Sequence, residues 1–234
     1  MGCIMQTFKM LFILALVSRL APATVIHVPA DQPSIQAGIK AATDGDTVLV
    51  AEGTYVENIN FLGKAITVAS HFLVDSDTTH ITKTIIDGSK PADPDSASVV
   101  FFVSGEDTTS LLSGFTLQGG SGSLWISEGY PFIAGGGILC VGSGARISNN
   151  HITMNSVSEN DNVLGGGIMA AAKPGERQII IEHNRIFQNV AQAGQFACGG
   201  GISMNMDGRI ESNIITENKA AATKRRGMAA VLAL

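Results

Sequence analysis

Glu182 and Glu211 each follow an isoleucine, Ile181 and Ile210, and those isoleucines hold the same place in successive copies of one pattern. If the segments carrying them are stacked strands, both glutamates point outward and lie roughly 5 Å apart. Two carboxylates that close repel unless a cation or a shared proton intervenes. One reading is therefore a metal site, with calcium as the oxygen-seeking cation, or an acid/base pair. The other is two solvated glutamates splayed apart. Asp93-Pro94-Asp95 and Asp75-Ser76-Asp77 are acidic turns with the same ambiguity.

A second group comes from segments 120–134, 156–164 and 190–198, which occupy one slot in consecutive copies and so emerge on one side. They carry Trp125, Glu128, Tyr130, Glu159 and Asp161, and Trp125 is the sole tryptophan. Aromatic rings beside polar groups suit the C–H faces and hydroxyls of an elongated sugar chain. Alternatively Trp125, Ile126, Phe132 and Ile133 fold back to cover a flank.

The elements that must position these residues are read from the copies themselves. Each has Gly-Gly-Gly-Ile, a later Ile, then Asn-x-Ile-x-x-Asn, and the triplets begin at Gly135, Gly165 and Gly199. A fixed period of this size marks a solenoid. Isoleucines alternating with polar residues indicate strands rather than helices. Stacking places Asn150, Asn184 and Asn213 in one ladder and Asn155, Asn189 and Asn218 in another. Asparagine also tolerates the left-handed backbone of a sharp corner. Glycine triplets fit another corner, where the coils approach closely. A weaker copy, Ser113 to Gly119, puts Gly114 and Gly119 in the Asn places. Roughly five or six coils follow if the upstream strands share the period.

Val25 to Val28 reads as a strand. Ser34 is an N-cap for a short helix with Ile35, Ile39 and Ala42 on one face. Together, over residues 25–45, they predict a cap on an open solenoid end. Residues 24–220 form the repeat domain. Lys9, the apolar run Met10 to Val17 and Ala21-Pro22-Ala23 read as an export signal over 1–23, with an uncleaved anchor as the alternative. The run is too short for a membrane span, so no stable span is expected once the signal is cleaved. Residues 221–234 lose the alternation, which leaves either a truncated or frame-shifted tail or a short capping helix.

The chain has 234 residues, 45% of them apolar, and a formal net charge of −5. That charge argues against a nucleic-acid surface. The triplets lack the lysine of a phosphate loop, and there is no nucleophile elbow. Two coil steps of about 4.8 Å already exceed disulfide reach between Cys140 and Cys198, so both read as core residues.

Pro33 to Tyr55, followed by Val56-Glu57-Asn58-Ile59, resembles the N-terminal cap of secreted right-handed parallel β-helix proteins, the pectin-lyase-like group. Thr84-Ile85-Ile86-Asp87-Gly88 and Ser113-Gly114-Phe115-Thr116-Leu117 resemble its coils. The resemblance spans about residues 25–220. It implies a right-handed parallel β-helix that is secreted or held in the cell envelope. It also implies a partner that is a polysaccharide or surface glycan, acidic in many members, and calcium in some lyases. The group also contains adhesins, so two functions stand: a lyase-like enzyme on uronic-acid polymers, or a non-catalytic glycan-binding, adhesion or structural module. No catalytic motif of the group is matched here.

Overall fold

The computed structural model describes residues 22–223. The export signal expected over 1–23 lies outside the described residues up to residue 21, as does the expected tail beyond residue 223. The chain is an all-β parallel solenoid of about five turns. Three faces carry its core. After each glycine triplet comes the first face, with strands Ile138–Val141, Ile168–Ala171 and Ile202–Asn205. The second has Ala145–Ser148, Gln178–Glu182 and Asp207–Glu211, and the third His151–Thr153, Arg185–Phe187 and Ile214–Thr216. All three extend upstream, the second into a seven-stranded sheet that starts at Val25–Val28.

The isoleucine spacing produces this core directly. Ile138, Ile168 and Ile202 pair in register, as do Ile147, Ile181 and Ile210, and Ile152, Ile186 and Ile215. Nearly all of the first two coils' isoleucines are fully buried, each contributing about 1.5–3 kcal/mol on removal from water.

Both asparagine ladders form. Asn184 Oδ1 accepts from Asn150 N–H at 2.9 Å and from its Nδ2 at 3.2 Å, and Asn213 Oδ1 accepts the same pair from Asn184. Asn189 and Asn218 repeat the scheme in the second ladder. The ladder asparagines are not, however, the left-handed residues. That conformation falls one position earlier, on Asn149, Met154, His183, Gln188, Ser212 and Glu217, at φ of 52–57°. Gly114 and Gly119 fill this corner place upstream, at φ 85° and 75°. The true ladder positions there are Phe115 and Gly120, whose N–H groups donate to Asn150 and Asn155. An αL corner costs on the order of 1–3 kcal/mol for a residue with a side chain. The ladder amide holds it by donating to the carbonyl just before the corner and to one of the preceding coil, as Asn150 does to Ser148 and Leu112.

The glycine corner works by proximity. Gly165 sits at φ 65°. At Gly166 an added Cβ would lie 2.5 Å from the Gly200 carbonyl oxygen and 2.6 Å from that of Val190. Gly166→Ala is therefore expected to lower stability by about 3 kcal/mol, read as a lower urea midpoint at unchanged slope.

The cap forms as expected. Val25–Val28 pairs in parallel with Thr47–Val50, Ser34 Oγ accepts from Ala37 N–H at 3.2 Å, and Ile35, Ile39 and Ala42 join the core. Two short helices, Phe72–Asp75 and Thr79–Lys83, were not expected from the sequence. Coiling also runs past residue 220: Lys219–Ala222 pairs in parallel with Val190–Ala193. Cys140 and Cys198 are free, and burial pushes the Cys140 thiol up to about 12. No helix among the described residues is long and apolar enough to cross a membrane.

Candidate functional site

The segments expected to be loops are strands. Gly122–Ser127 and Tyr130–Ala134 form an antiparallel hairpin in which Trp125 faces Phe132, their rings 5.7 Å apart. The following coils add Asn162–Leu164 and Phe196–Cys198 to the same sheet in parallel. Ser156–Glu159, Val190–Ala193 and Lys219–Ala222 form a separate three-stranded sheet.

The hairpin leans over the outer side of the first face. Ile138-Leu139-Cys140-Val141 is apolar throughout, so both sides of that strand need cover. Inward Ile138 and Cys140 join the core, while outward Leu139 packs in a second cluster with Ala134, Met169, Ala171, Phe101, Val141, Leu164 and half-buried Trp125. Cover stops short of the upstream coils and leaves a cleft of about 670 Å³, a size typical of small-ligand sites. Its apolar walls are Phe101, Val103, Leu124, Trp125, Leu139 and Val141, and Lys90, Asp93, Asp95, Ser96, Asn58 and Asn60 stand at its polar side.

The segment carrying Lys90, Asp93 and Asp95 is tied down locally. Asp93 Oδ1 accepts from Asp95 N–H, Leu124 N–H donates to the Asp95 carbonyl at 2.9 Å, and Ser96–Ala97 pairs with Gly122–Ser123. Asn58 Nδ2 donates to the carbonyls of Gly88 and Ser98. Glu57 also borders the cleft, but its two oxygens accept from Ile35 and Gln36 N–H at the start of the cap helix. Lys90 makes no ion pair among the described residues. The cleft thus offers two aromatic rings, Trp125 and Phe101, an apolar floor, one cation and, with Glu57 engaged by the cap helix, two acids.

Of the residues expected to face a glycan, only Trp125 lines this cleft, and Asp93 and Asp95 of one acidic turn border it as well. Glu128 sits in the hairpin turn at φ 51°, and Tyr130 beside it is 66% exposed. One coil on, Glu159 Oε1 accepts its neighbour's N–H and Asp161 Oδ1 accepts from Gln195 Nε2 at 2.6 Å. Asp75, in the other acidic turn, meets His80 at 3.1 Å, and Asp77 accepts from Thr79 N–H.

Glu182 and Glu211 are adjacent in register as expected, but Glu182 is not solvated. It is 4% exposed. Arg146 Nε donates to its Oε1 at 2.6 Å, Arg209 Nη2 lies 3.5 Å from Oε2, and Arg209 Nε reaches Glu211 at 3.1 Å. Arginine supplies the positive charge that a cation was expected to bring, and no group of three or more metal-binding side chains converges among the described residues. This donor set does not fit calcium. Both arginines stay half exposed and can rehydrate, so Glu182→Ala is expected to cost about 1 kcal/mol, less at high salt, measured by urea unfolding at two ionic strengths.

Lys90, Asn58, Asn60 and Phe101 were missed in the sequence. The available signal was the unbroken apolar strand after the triplet, Ile138 to Val141, which marks a face covered from outside. The chain matches no family model, and comparisons with curated proteins and with solved structures find no match.

Proposed function

We propose that this chain is a secreted or envelope-associated glycan-binding β-solenoid whose ligand lies in the cleft beneath Trp125. The observation that carries the reading is the pairing of a half-buried aromatic and apolar floor with a rim of Lys90, Asn58, Asn60, Asp93, Asp95 and Ser96. A sugar chain presents C–H faces and hydroxyls together, and this lining answers both.

A lyase-like activity on uronic-acid polymers is the second reading, favoured by Lys90, a basic group beside the floor. A lyase needs a base together with groups that stabilise the charge developing on the substrate, and no second cation lines the cleft beside Lys90. Binding is therefore the preferred function. Asp93 and Asp95 repel a polyuronate unless a cation bridges them, so neutral glycans are expected to bind without calcium and acidic ones only with it.

The test is a panel of neutral and acidic polysaccharides followed by Trp125 fluorescence and by ultraviolet absorbance of unsaturated products, with calcium or a chelator. Binding without product supports the module, product formation supports the lyase, and neither response across the panel removes both.

A further inference from the structure

We infer that the Ala23–Thr24 peptide bond is a processing site, and that Asp46 is built to receive the α-ammonium group that its cleavage creates. The proposal is independent of the glycan reading except that both place the protein on an export route.

Asp46 is 5% exposed. Its Oδ1 accepts from Thr24 N–H at 2.7 Å and from the Thr24 hydroxyl at 2.9 Å. Its Oδ2 accepts from Thr43 N–H at 2.7 Å and from the Thr43 hydroxyl at 2.9 Å. These bonds hold the carboxyl far below the usual carboxylate range, the Thr43 and Thr24 backbone donors contributing most. The charge is thus fixed in place, yet no lysine or arginine pairs with it among the described residues. The ionisable groups on the neighbouring segments are otherwise engaged. Asp44 Oδ1 accepts from Ala65 N–H, and Lys64 Nζ donates to the carbonyls of Ile39, Lys40 and Ala42. A covered carboxylate satisfied by dipoles alone lacks the counter-ion that would best offset its desolvation.

The backbone nitrogen on which Asp46 closes belongs to Thr24, immediately before the first strand. The Thr24 carbonyl accepts from Thr47 N–H at 2.9 Å, and the parallel strand begins at Val25. Pro22 and Ala23, just before it, are exposed. Ala21-Pro22-Ala23 also has the small residues that precede export cleavage. In the chemistry proposed, a separate export-linked endopeptidase adds water across the Ala23–Thr24 bond. Ala23 leaves with the new carboxylate, and Thr24 keeps the nitrogen as an ammonium at neutral pH. One neutral amide donor on Asp46 then becomes a full positive charge in the same position. Processing would thereby pin the outermost strand of the seven-stranded sheet at its starting residue.

The sign of the resulting pH dependence follows from linkage. A carboxylate neighbour raises the folded-state pKa of the ammonium. Its stabilisation is complete below the ordinary α-amino value of about 8 and is lost as pH rises through the raised value. An unprocessed chain has an amide at Thr24 and lacks this alkaline limb.

The experiment expresses the full chain with and without export and determines the N-terminus of each product by intact mass and sequencing. Melting temperatures of both products are then followed from pH 6 to pH 10.5. The exported product is expected to begin at Thr24, and its Tm to fall by about 2–4 °C more than that of the unprocessed chain between pH 7.5 and pH 10.5, as one pKa unit on one group would produce in a chain of this size. Because both products retain Asp46, the comparison does not depend on a variant folding. Absence of cleavage, cleavage at another bond, or identical alkaline limbs in the two products would overturn the proposal.

Discussion

Asn184→Ala is expected to destabilise the protein by about 3–5 kcal/mol, since several buried partners are orphaned at once and each costs about 1–3 kcal/mol. Asn184 Oδ1 accepts from the backbone and side chain of Asn150 in the preceding coil. Its Nδ2 donates to the carbonyls of Ile147 and Glu182 and to Asn213 Oδ1. Removing the amide strands all of these groups where water cannot replace it, beside the left-handed His183 that the ladder holds in place. Asn213→Ala, in the last coil of the ladder and partly exposed, is the comparison and should cost about 1 kcal/mol, the worth of a single net hydrogen bond. Urea unfolding of the two variants checks the difference. Equal losses would mean that the ladder contributes no more inside the stack than at its end.

Trp125→Ala is expected to weaken glycan binding by about 10–100-fold, since an aromatic platform contributes a few kcal/mol and each 1.4 kcal/mol is a factor of ten. Trp125 is also partly buried against the solenoid flank, so some stability should be lost too. Binding must therefore be measured by calorimetry on protein whose folded state is verified. Asp161→Ala defines how far the ligand extends. Unchanged affinity confines it to the cleft, whereas a loss would place ligand along the neighbouring coil, where Asp161 and Gln195 meet. Retention of full affinity by Trp125→Ala would reduce the hairpin to flank cover.

The contrast between these two sites shows where sequence reasoning reached. Asn184 was assignable because its role repeats: the same residue at the same offset in three copies has one spatial meaning once the copies stack. Glu182 was half legible. Its register beside Glu211 followed from the repeat, but its burial depends on Arg146 and Arg209, which occupy a place taken in the middle copy by Ile180. No period announces an arginine that bends over its neighbour's carboxylate. The left-handed corners were displaced by one residue for a similar reason, since a run such as Asn149-Asn150 does not reveal which asparagine turns and which bonds.

By itself the sequence determined the stacked architecture, the isoleucine columns, the asparagine ladders, the glycine corner and the strand-helix cap. Each is a local rule that adds coherently when one coil lies on the next, so periodicity alone carries it. The tertiary structure decided what the non-repeating segments do. It made strands of the expected loops, leaned the Trp125 hairpin over an outer apolar face, and set Lys90 and the Asp93–Asp95 turn, from an earlier coil, at the edge of the same cleft. Those encounters join residues from different coils that share no pattern. Their geometry is fixed by which apolar surface remains uncovered after the coils have stacked, a quantity that exists only in the folded chain.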